Sequence, residues 1–398
     1  MIDAARRPDG AERGGKPRLL FYCQHVLGMG HFTRSIEIVK GLSGFAVSFL
    51  NGGDRIQDFE LPAGVEFIDL PPIRTDADFR RIEATDGTLD LEQIKRARTA
   101  LILEACERIR PAVAVIELFP FGRRKFAFEL VPMLEQLRRS GTTIACSLRD
   151  IVVGKDDQAK FEERTRRLVD RYFDLLLIHS DPRFQRLEET FESAAALACE
   201  THYTGFVMQP PPPRQPRTGE KPLIVVSIGG GRVGGELLEC AIRASAILEP
   251  SYPHRMLAFS GPFVTGDEWR RATEAAAHSP SVTLERFNPR FLESLANADL
   301  SISMAGYNTC MNIIATGVRA LVYPFTGGDN EEQTTRADKL EHLGAVSVLR
   351  PSGLTPAELG QRILRSLSAP APGTIALDTN GVSRTAELLT SSVAKRAA

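Results

Sequence analysis

The feature that most constrains the fold is a repeated alternation of short apolar runs and helix-periodic segments along the 398 residues. Runs such as AVAVIELF (112–119) and DLLLIHS (174–180) have the length and composition of buried strands. Each is followed by a segment with helical periodicity. Strands that alternate with helices predict parallel sheets flanked by helices, so we expect an α/β fold.

A proline-rich segment, QPPPPRQPRTGEKP (209–222), separates two such arrays. This composition gives a stiff, extended chain without a core of its own. The sequence therefore predicts two Rossmann-like domains with parallel sheets facing across a cleft. The predicted boundaries are a flexible tail at 1–16, an N-terminal domain at 17–208, a linker at 209–221, a C-terminal domain at 222–372 and a tail helix within 373–398.

Composition excludes several functional classes. With 49 basic and 50 acidic residues the formal net charge is −1, which disfavours nucleic-acid binding. The N-terminal segment lacks an apolar core typical of a secretory signal, and no apolar run is long enough to span a membrane. The six cysteines form no CxxC pair, which fits a reduced compartment. We expect a cytoplasmic protein with at most peripheral membrane contact.

Ligands of parallel sheets bind at the carboxyl ends of the strands, so those ends hold the candidate residues. After the first strand, Gly28 and Gly30 allow a tight turn into a helix. The positive end of that helix favours a neutral His31, which can accept a proton from a hydroxyl. A capping or packing role for His31 is the alternative.

Two carboxylates, Glu117 and Asp150, also follow apolar strands and are further candidates for the proton acceptor. Capping of the next helix is the alternative. Arg34, Arg123 and Arg149 lie near the same strand ends. The segment FPFGRRKF around Arg123 favours an anionic acceptor or a membrane surface, unless it is only a solvated helix start.

The second half begins with SIGGGRVGG, in which Gly229, Gly230 and Gly231 let the backbone approach a phosphate at a helix N-terminus. These glycines match the GxGxxG pattern, but the acidic residue that a dinucleotide site requires is missing from the end of the next strand. A second Gly turn, with Gly306, and the loop before Gln333 precede two further helix starts. Together they suggest a nucleoside diphosphate site.

A metal site is not expected. Asp76 and Asp78 formally make a DxD motif, yet they lie in a charged stretch, 74–98, that is helix-prone and away from any Gly-turned strand end. A solvated helix start explains them better. We therefore expect neither a metal nor another cofactor.

The segment from SMAGYNTCMN to DNEEQTTRADKLEHLGA resembles the C-terminal nucleotide-sugar domain of GT-B glycosyltransferases, in particular the N-acetylglucosaminyltransferase family that makes lipid II. SIGGGRVGG and GMGHFTRS resemble the two glycine-rich loops of that family. FPFGRRKF and SLRDIV resemble an uncharacterised bacterial branch of predicted glycosyltransferases. The resemblance implies an inverting, metal-independent transfer from a nucleotide sugar, with UDP as the expected nucleotide.

The resemblance also implies roles for individual residues. The second domain would bind the donor. Phe287 would lie near the base, Asn312 would bind the ribose, and Glu332 and Gln333 would hold the sugar. The diphosphate would be held by Gly229, Gly230, Gly231, Gly306, Asn308 and Thr309. His31 would serve the acceptor or the leaving group. Asn312 replaces a glutamate of the lipid II enzymes, and Glu331-Glu332 replaces a glutamine pair.

Two other functions are compatible with the same residues. Gly30, His31 and Arg34, with a later Glu-Gln pair, also resemble nucleotide-sugar hydrolases of this fold, which use water as acceptor. A nucleotide-binding sensor that lost catalysis is the third hypothesis. The acceptor stays unidentified: the basic and aromatic segment favours an anionic one, and a small natural product remains an alternative.

Overall fold

The computed structural model describes residues 15–25, 30–54, 61–75, 82–84, 90–215, 220–327, 331–370, 372–373 and 375–397. Nine strands lie in the first half of this described chain: β1 (Arg18–Cys23), β2 (Ala46–Asn51), β3 (Glu66–Asp69), β4 (Ile73–Thr75), β5 (Ile82–Ala84), β6 (Val113–Glu117), β7 (Thr143–Arg149), β8 (Leu175–His179) and β9 (Glu200–Tyr203). Seven form one parallel sheet in the order β3-β2-β1-β6-β7-β8-β9.

Four helices accompany this sheet: α1 (Gly30–Gly41), α2 (Leu91–Ile109), α3 (Ala127–Arg139) and α4 (Gln158–Tyr172). Strands β6 and β8 are buried along their whole length. A strand that helices cover on both faces has apolar side chains on both faces, so its sequence is a continuous apolar run. For this reason the sequence predicted both strands.

The expected helix over 74–98 is wrong in its first part. Short antiparallel strands β4 and β5 occupy part of this stretch, and α2 begins only at Leu91. The start is set by Asp90, whose carboxylate accepts the backbone N–H of Glu92, while the Gln93 side chain accepts the N–H of Asp90. This capping box stops the helix from extending backwards. The DxD motif lies outside the described residues.

The second half forms a six-stranded parallel sheet in the order β12-β11-β10-β13-β14-β15. The strands are β10 (Leu223–Ser227), β11 (Arg255–Phe259), β12 (Val282–Glu285), β13 (Leu300–Met304), β14 (Ala320–Tyr323) and β15 (Ser347–Val348). The helices are α5 (Gly235–Leu248), α6 (Gly266–Ala276), α7 (Phe291–Ala296), α8 (Tyr307–Thr316), α9 (Glu332–His342) and α10 (Pro356–Ser368). The predicted α/β class with two parallel sheets is confirmed.

The last helix, α11 (Gly381–Ala397), returns to the first domain. Its Leu389 is fully buried in the apolar cluster that contains residues of β1, α1 and β2. Phe206, just past β9, donates its backbone N–H to the carbonyl of Asp378 at 2.8 Å. The chain therefore crosses between the domains twice. Among the described residues no helix is both long and apolar enough to cross a membrane.

A buried ion pair joins the two domains across the cleft. Arg336 in α9 donates from Nε and Nη2 to the two carboxylate oxygens of Asp150, which follows β7, at 2.7 Å each. Both side chains are fully buried. Arg336 also donates to Glu332 at 2.7 Å, and the other oxygen of Glu332 pairs with Arg149 at 2.7 Å. Two residues of each domain thus form one buried network of alternating charges, which we call the interdomain ion network.

Tyr307, the first residue of α8, makes a second connection at the same place. Its hydroxyl donates to the carbonyl of His179 at the end of β8 and accepts the N–H of Val207, both at 3.1 Å. The guanidinium carbons of Arg34 and Arg336 lie 5.3 and 5.6 Å from the ring centroid. Such cation–π contacts stabilise both partners where water is excluded.

We predict that Asp150→Asn destabilises the protein by about 3–5 kcal/mol, because the variant leaves Arg336 buried without a full counter-charge. The measurement is the free energy of unfolding in urea. Glu189→Gln is the matched control, since Glu189 pairs with Lys339 of the other domain at 2.6 Å but is half exposed. That surface pair is expected to contribute about 1 kcal/mol or less. Equal losses in the two variants would contradict a special role for the buried pair.

Candidate active site

The candidate site lies in the cleft where the carboxyl ends of both sheets meet. The first domain contributes the start of α1 and the segments after β6 and β7. The second contributes the loop after β10 and the starts of α8 and α9. Gly28 lies outside the described residues, so its role as a turn residue stays a prediction.

His31, at the start of α1, is held by Glu117, the last residue of β6. His31 Nδ1 and Glu117 Oε1 are 2.6 Å apart. Arg34, one turn further along α1, donates to the same oxygen at 2.5 Å. Glu117 is fully buried, whereas His31 keeps 19% of its side-chain surface exposed. The helical spacing of His31 and Arg34 places both on the face that meets the end of β6.

The protonation states follow from burial and charge. Burial raises the pKa of Glu117, but His31, Arg34 and Arg123 outweigh it and lower that pKa to about 2. Burial also lowers the pKa of His31 to about 3, with Glu117 opposing and Arg123 and Arg149 adding to the effect. At neutral pH the pair is therefore a carboxylate and a neutral imidazole.

This arrangement selects one tautomer of His31. Because the Glu117 carboxylate can only accept, His31 Nδ1 carries the hydrogen and donates it. The lone pair then sits on Nε2, for which no partner is found among the described residues. A neutral, oriented imidazole with a free Nε2 can take a proton from a hydroxyl group.

The other predicted proton acceptors are less available than His31: Asp150 has both oxygens engaged, and Glu117 is fully buried, with Oε1 engaged and Oε2 without a partner among the described residues. Glu117 orients His31 and pairs with Arg34, and Asp150 binds Arg336 through both oxygens. Arg34 is buried against Glu117, which leaves it little surface for an acceptor. Of the three residues proposed as the base, His31 is the one that combines a lone pair without a described partner with a partly exposed side chain.

The glycine loop after β10 is folded tightly. Gly231 has φ of 87°, and a Cβ there would lie 2.3 Å from the carbonyl oxygen of Ser260. Gly229 also has a positive φ, 67°, but its surroundings are open. Gly230 accepts the N–H of Phe263 at 3.0 Å. The loop leads into α5, so its open side exposes backbone near a helix N-terminus, as an anion site requires.

The start of α8 is a second helix N-terminus in the cleft. Gly306 caps it with an ordinary φ of −67°, and no atom lies within 4 Å of a Cβ built there. Asn308 donates across the cleft to the carbonyl of Gly30 at 2.9 Å. Thr309 is half-buried and Asn312 is buried in the same helix.

The residues predicted to hold the sugar and the base differ in burial and in hydrogen bonding. Glu332 is buried between Arg149 and Arg336, so its carboxylate is already paired. Gln333 accepts the backbone N–H of Phe325 at 3.1 Å, which orients its amide. Phe287 is half-buried two residues beyond β12.

Two site residues were missed in the sequence. Both lie inside segments that were singled out, but neither was given a role: Tyr307 directly follows Gly306, and Arg336 lies within α9. Arg336 is four residues after Glu332, a spacing that places both on one helix face. This spacing was a usable signal, but its partner Asp150 is 186 residues away and no local pattern links them.

Comparison with known proteins supports the resemblance. Residues 237–382 match the family described as glycosyltransferase family 28 C-terminal domain. A 153-residue segment is 33% identical to the UDP-N-acetylglucosamine–N-acetylmuramyl-(pentapeptide) pyrophosphoryl-undecaprenol N-acetylglucosamine transferase of Cupriavidus necator. That match spans 37% of this chain and 41% of the relative, so well under half of either protein is matched in sequence.

Solved structures match over nearly the whole chain. MurG of Acinetobacter baumannii aligns with a TM-score of 0.58 at 16% identity, covering 94% of this chain and 100% of MurG. A putative UDP-N-acetylglucosamine 2-epimerase of Listeria monocytogenes aligns with a TM-score of 0.61 at 13% identity, covering 96% and 98%. At these identities the likeness shows the fold alone. The chain has the GT-B fold, and residues 237–382 are similar to the glycosyltransferase family 28 C-terminal domain.

Proposed function

We propose that the protein is an inverting, metal-independent glycosyltransferase that moves a sugar from a nucleotide sugar to an acceptor hydroxyl. The observation that carries this proposal is the neutral His31, oriented by Glu117 and facing helix starts of the other domain. UDP linked to an N-acetylhexosamine-like sugar is the donor we favour. The name of the Cupriavidus relative, a UDP-N-acetylglucosamine transferase, supports that choice.

The second domain would bind the donor. Backbone N–H groups of the glycine loop and of the α8 start would stabilise the diphosphate, helped by the positive ends of α5 and α8. Asn312 would bind the ribose hydroxyls, Phe287 would lie near the base, and Gln333 would bond the sugar. These groups provide the positive potential that a departing nucleoside diphosphate needs, which is why we expect no metal requirement.

The transfer would proceed as a single displacement. His31 Nε2 takes the proton of the acceptor hydroxyl while its oxygen forms a bond to the anomeric carbon. The bond from that carbon to the diphosphate oxygen breaks, and its electron pair leaves with the nucleoside diphosphate. Glu117 stabilises the resulting imidazolium through Nδ1. Attack opposite to the leaving group inverts the anomeric configuration.

The donor assignment predicts a specific stabilisation. UDP at 100 times its dissociation constant should add about 2.7 kcal/mol to the free energy of unfolding, with or without EDTA. The measurement is a thermal-shift series with UDP, TDP, GDP, ADP and NAD. Asn312→Ala should weaken the response to the binding nucleotide. A response to NAD alone, or one that EDTA abolishes, would contradict the proposal.

The proposed base predicts a separation of turnover from binding. His31→Ala should lower kcat about 10²- to 10⁴-fold, the usual contribution of a general base, with the dissociation constant of UDP unchanged. Release of UDP from the donor and isothermal titration of UDP measure the two quantities. His278→Ala, in an exposed histidine outside the cleft, is the control and should be unaffected. Unchanged turnover in His31→Ala would remove His31 from the mechanism.

The low pKa of His31 predicts an unusual pH profile. A histidine with its ordinary pKa of 6.5 loses half of its base form at that pH, whereas His31 stays neutral down to its pKa of about 3. The value of kcat/KM should therefore stay level from about pH 7 to about pH 5, wherever the protein remains folded. The measurement is kcat/KM against pH. A break near pH 6.5 would contradict the neutral Glu117-bound imidazole.

Hydrolysis of the nucleotide sugar is the second candidate, since the same Nε2 can take a proton from water. The GT-B likeness does not decide between the two, because a putative epimerase shares the fold. Release of UDP without any acceptor, at the rate seen with one, would assign the protein as a hydrolase.

A further inference from the structure

The first two residues of α8 contact the first domain on both sides of His31. Asn308 donates from Nδ2 to the carbonyl oxygen of Gly30, the residue just before His31, at 2.9 Å. The ring of Tyr307 contacts Arg34, three residues after His31, with 5.3 Å between the guanidinium carbon and the ring centroid. The helix at the proposed donor site therefore touches the helix that carries the proposed base.

Contact continues from Tyr307 to His31 through two buried charged side chains. Arg34 Nη2 lies 2.5 Å from Glu117 Oε1 and 3.4 Å from His31 Nδ1, and Glu117 Oε1 lies 2.6 Å from the same nitrogen. Tyr307 is 5% exposed, Arg34 is 2% exposed and Glu117 is fully buried. Four side chains thus make an unbroken line of contact from α8 to the imidazole, which we call the base contact line.

The ring of Tyr307 helps to fix the guanidinium of Arg34. Nε of Arg34 is buried and has no hydrogen-bond partner among the described residues. The guanidinium is held by the carboxylate of Glu117 and by the ring face of Tyr307. A cation on an aromatic face is stabilised where water is excluded. Loss of the ring would leave Arg34 free to turn, and the carboxylate that orients His31 would turn with it.

The hydroxyl of Tyr307 serves the docking of the two domains instead. Burial raises the pKa of Tyr307, so the hydroxyl keeps its hydrogen and donates it to the carbonyl of His179. The same oxygen accepts the N–H of Val207. Neither partner belongs to α1. Substitution can therefore separate the two parts of the side chain, because phenylalanine keeps the ring face and removes only the hydroxyl contacts.

We propose that Tyr307 is a positioning residue, whose ring holds His31 in register with the donor helix α8. It acts through Arg34 and Glu117. This inference rests on the proposed glycosyl transfer, in which the diphosphate would bind at the start of α8. Because one helix start holds the leaving group and contacts the base, direct contact sets the distance between them. A misplacement of about 1 Å at a reacting group can cost about 10²-fold in rate.

The first test observes the imidazole of His31 directly. NMR of isotope-labelled histidine nitrogens reports which ring nitrogen carries the hydrogen, and loss of the signals in His31→Ala identifies them. Wild-type protein should show the hydrogen on Nδ1, and Tyr307→Phe should match it. Methionine in Tyr307→Met is adaptable enough to fill the space but has no ring face, so both nitrogens should move towards averaged values. A wild-type signal in Tyr307→Met would overturn the proposal.

Lys339→Gln is the matched control, because Lys339 also joins the domains but lies outside the base contact line. Its ammonium donates to the carbonyl of Phe184 at 2.9 Å and pairs with Glu189 at 2.6 Å. The His31 signal of this variant should stay as in wild type. An equal change in Lys339→Gln would mean that any weakened docking moves His31, which refutes a specific role for Tyr307.

Arg34→Lys tests the next contact of the line, should Tyr307→Met not fold. Lysine keeps the positive charge opposite Glu117, but its compact ammonium lacks the planar fork with which arginine contacts the ring and the carboxylate together. The hydrogen of His31 should therefore be shared between the two nitrogens. A hydrogen that stays fixed on Nδ1 in Arg34→Lys would contradict transmission through this residue and refute the proposal.

Turnover separates positioning from donor binding. Tyr307→Met should lower kcat for release of UDP from UDP-N-acetylglucosamine about 10²-fold, with the dissociation constant of UDP unchanged in isothermal titration. Tyr307→Phe should keep kcat near the wild-type value, even though the loss of the hydroxyl lowers stability. A dissociation constant that rises as much as kcat falls would assign the ring to donor binding and refute the proposal. Failure of wild-type protein to bind UDP refutes the donor assignment, whereas the His31 signal still decides whether Tyr307 positions the imidazole.

Discussion

The bidentate pair between Asp150 and Arg336 is the interaction on which the rest of the cleft depends. Two fully buried charges are tolerable only when each satisfies the other, and these two belong to different domains. The pair therefore demands that the domains meet at one relative position. When the domains meet in this way, Arg149 pairs with Glu332, and the ring of Tyr307 contacts the guanidinium groups of Arg34 and Arg336. The candidate base and the candidate donor helices are then brought to opposite sides of one cleft.

The same electrostatic constraint explains which residue can act as the base. Three carboxylates of the described cleft residues are paired with guanidinium groups: Glu117 with Arg34, Asp150 with Arg336, and Glu332 with both Arg149 and Arg336. Asp150 and Glu332 use both of their oxygens in these pairs, and Glu117 is fully buried. His31 differs, because it is partly exposed, Glu117 fixes its hydrogen on Nδ1, and its Nε2 has no partner among the described residues. Orientation by one carboxylate and neutralisation of the others thus work together.

Much of the fold was readable because its signals are local. The strands predicted within 112–119 and 174–180 are present as β6 (Val113–Glu117) and β8 (Leu175–His179). The prediction of a helix over 74–98 was wrong in its first part for a physical reason. The charged residues there have helical propensity, but the capping box at Asp90 and the pairing of β4 with β5 determine where α2 begins. The tail helix was also found, although its burial against the first domain through Leu389 was not.

The sequence by itself determined the α/β class and the strand ends, because apolar periodicity and glycine turns are encoded within about ten residues. It also placed His31 at a helix start. Only the tertiary structure decided that Glu117 orients His31 and that Asp150 joins the domains. Those outcomes depend on which charges meet across the cleft, and such meetings join residues up to 186 positions apart that no local pattern connects.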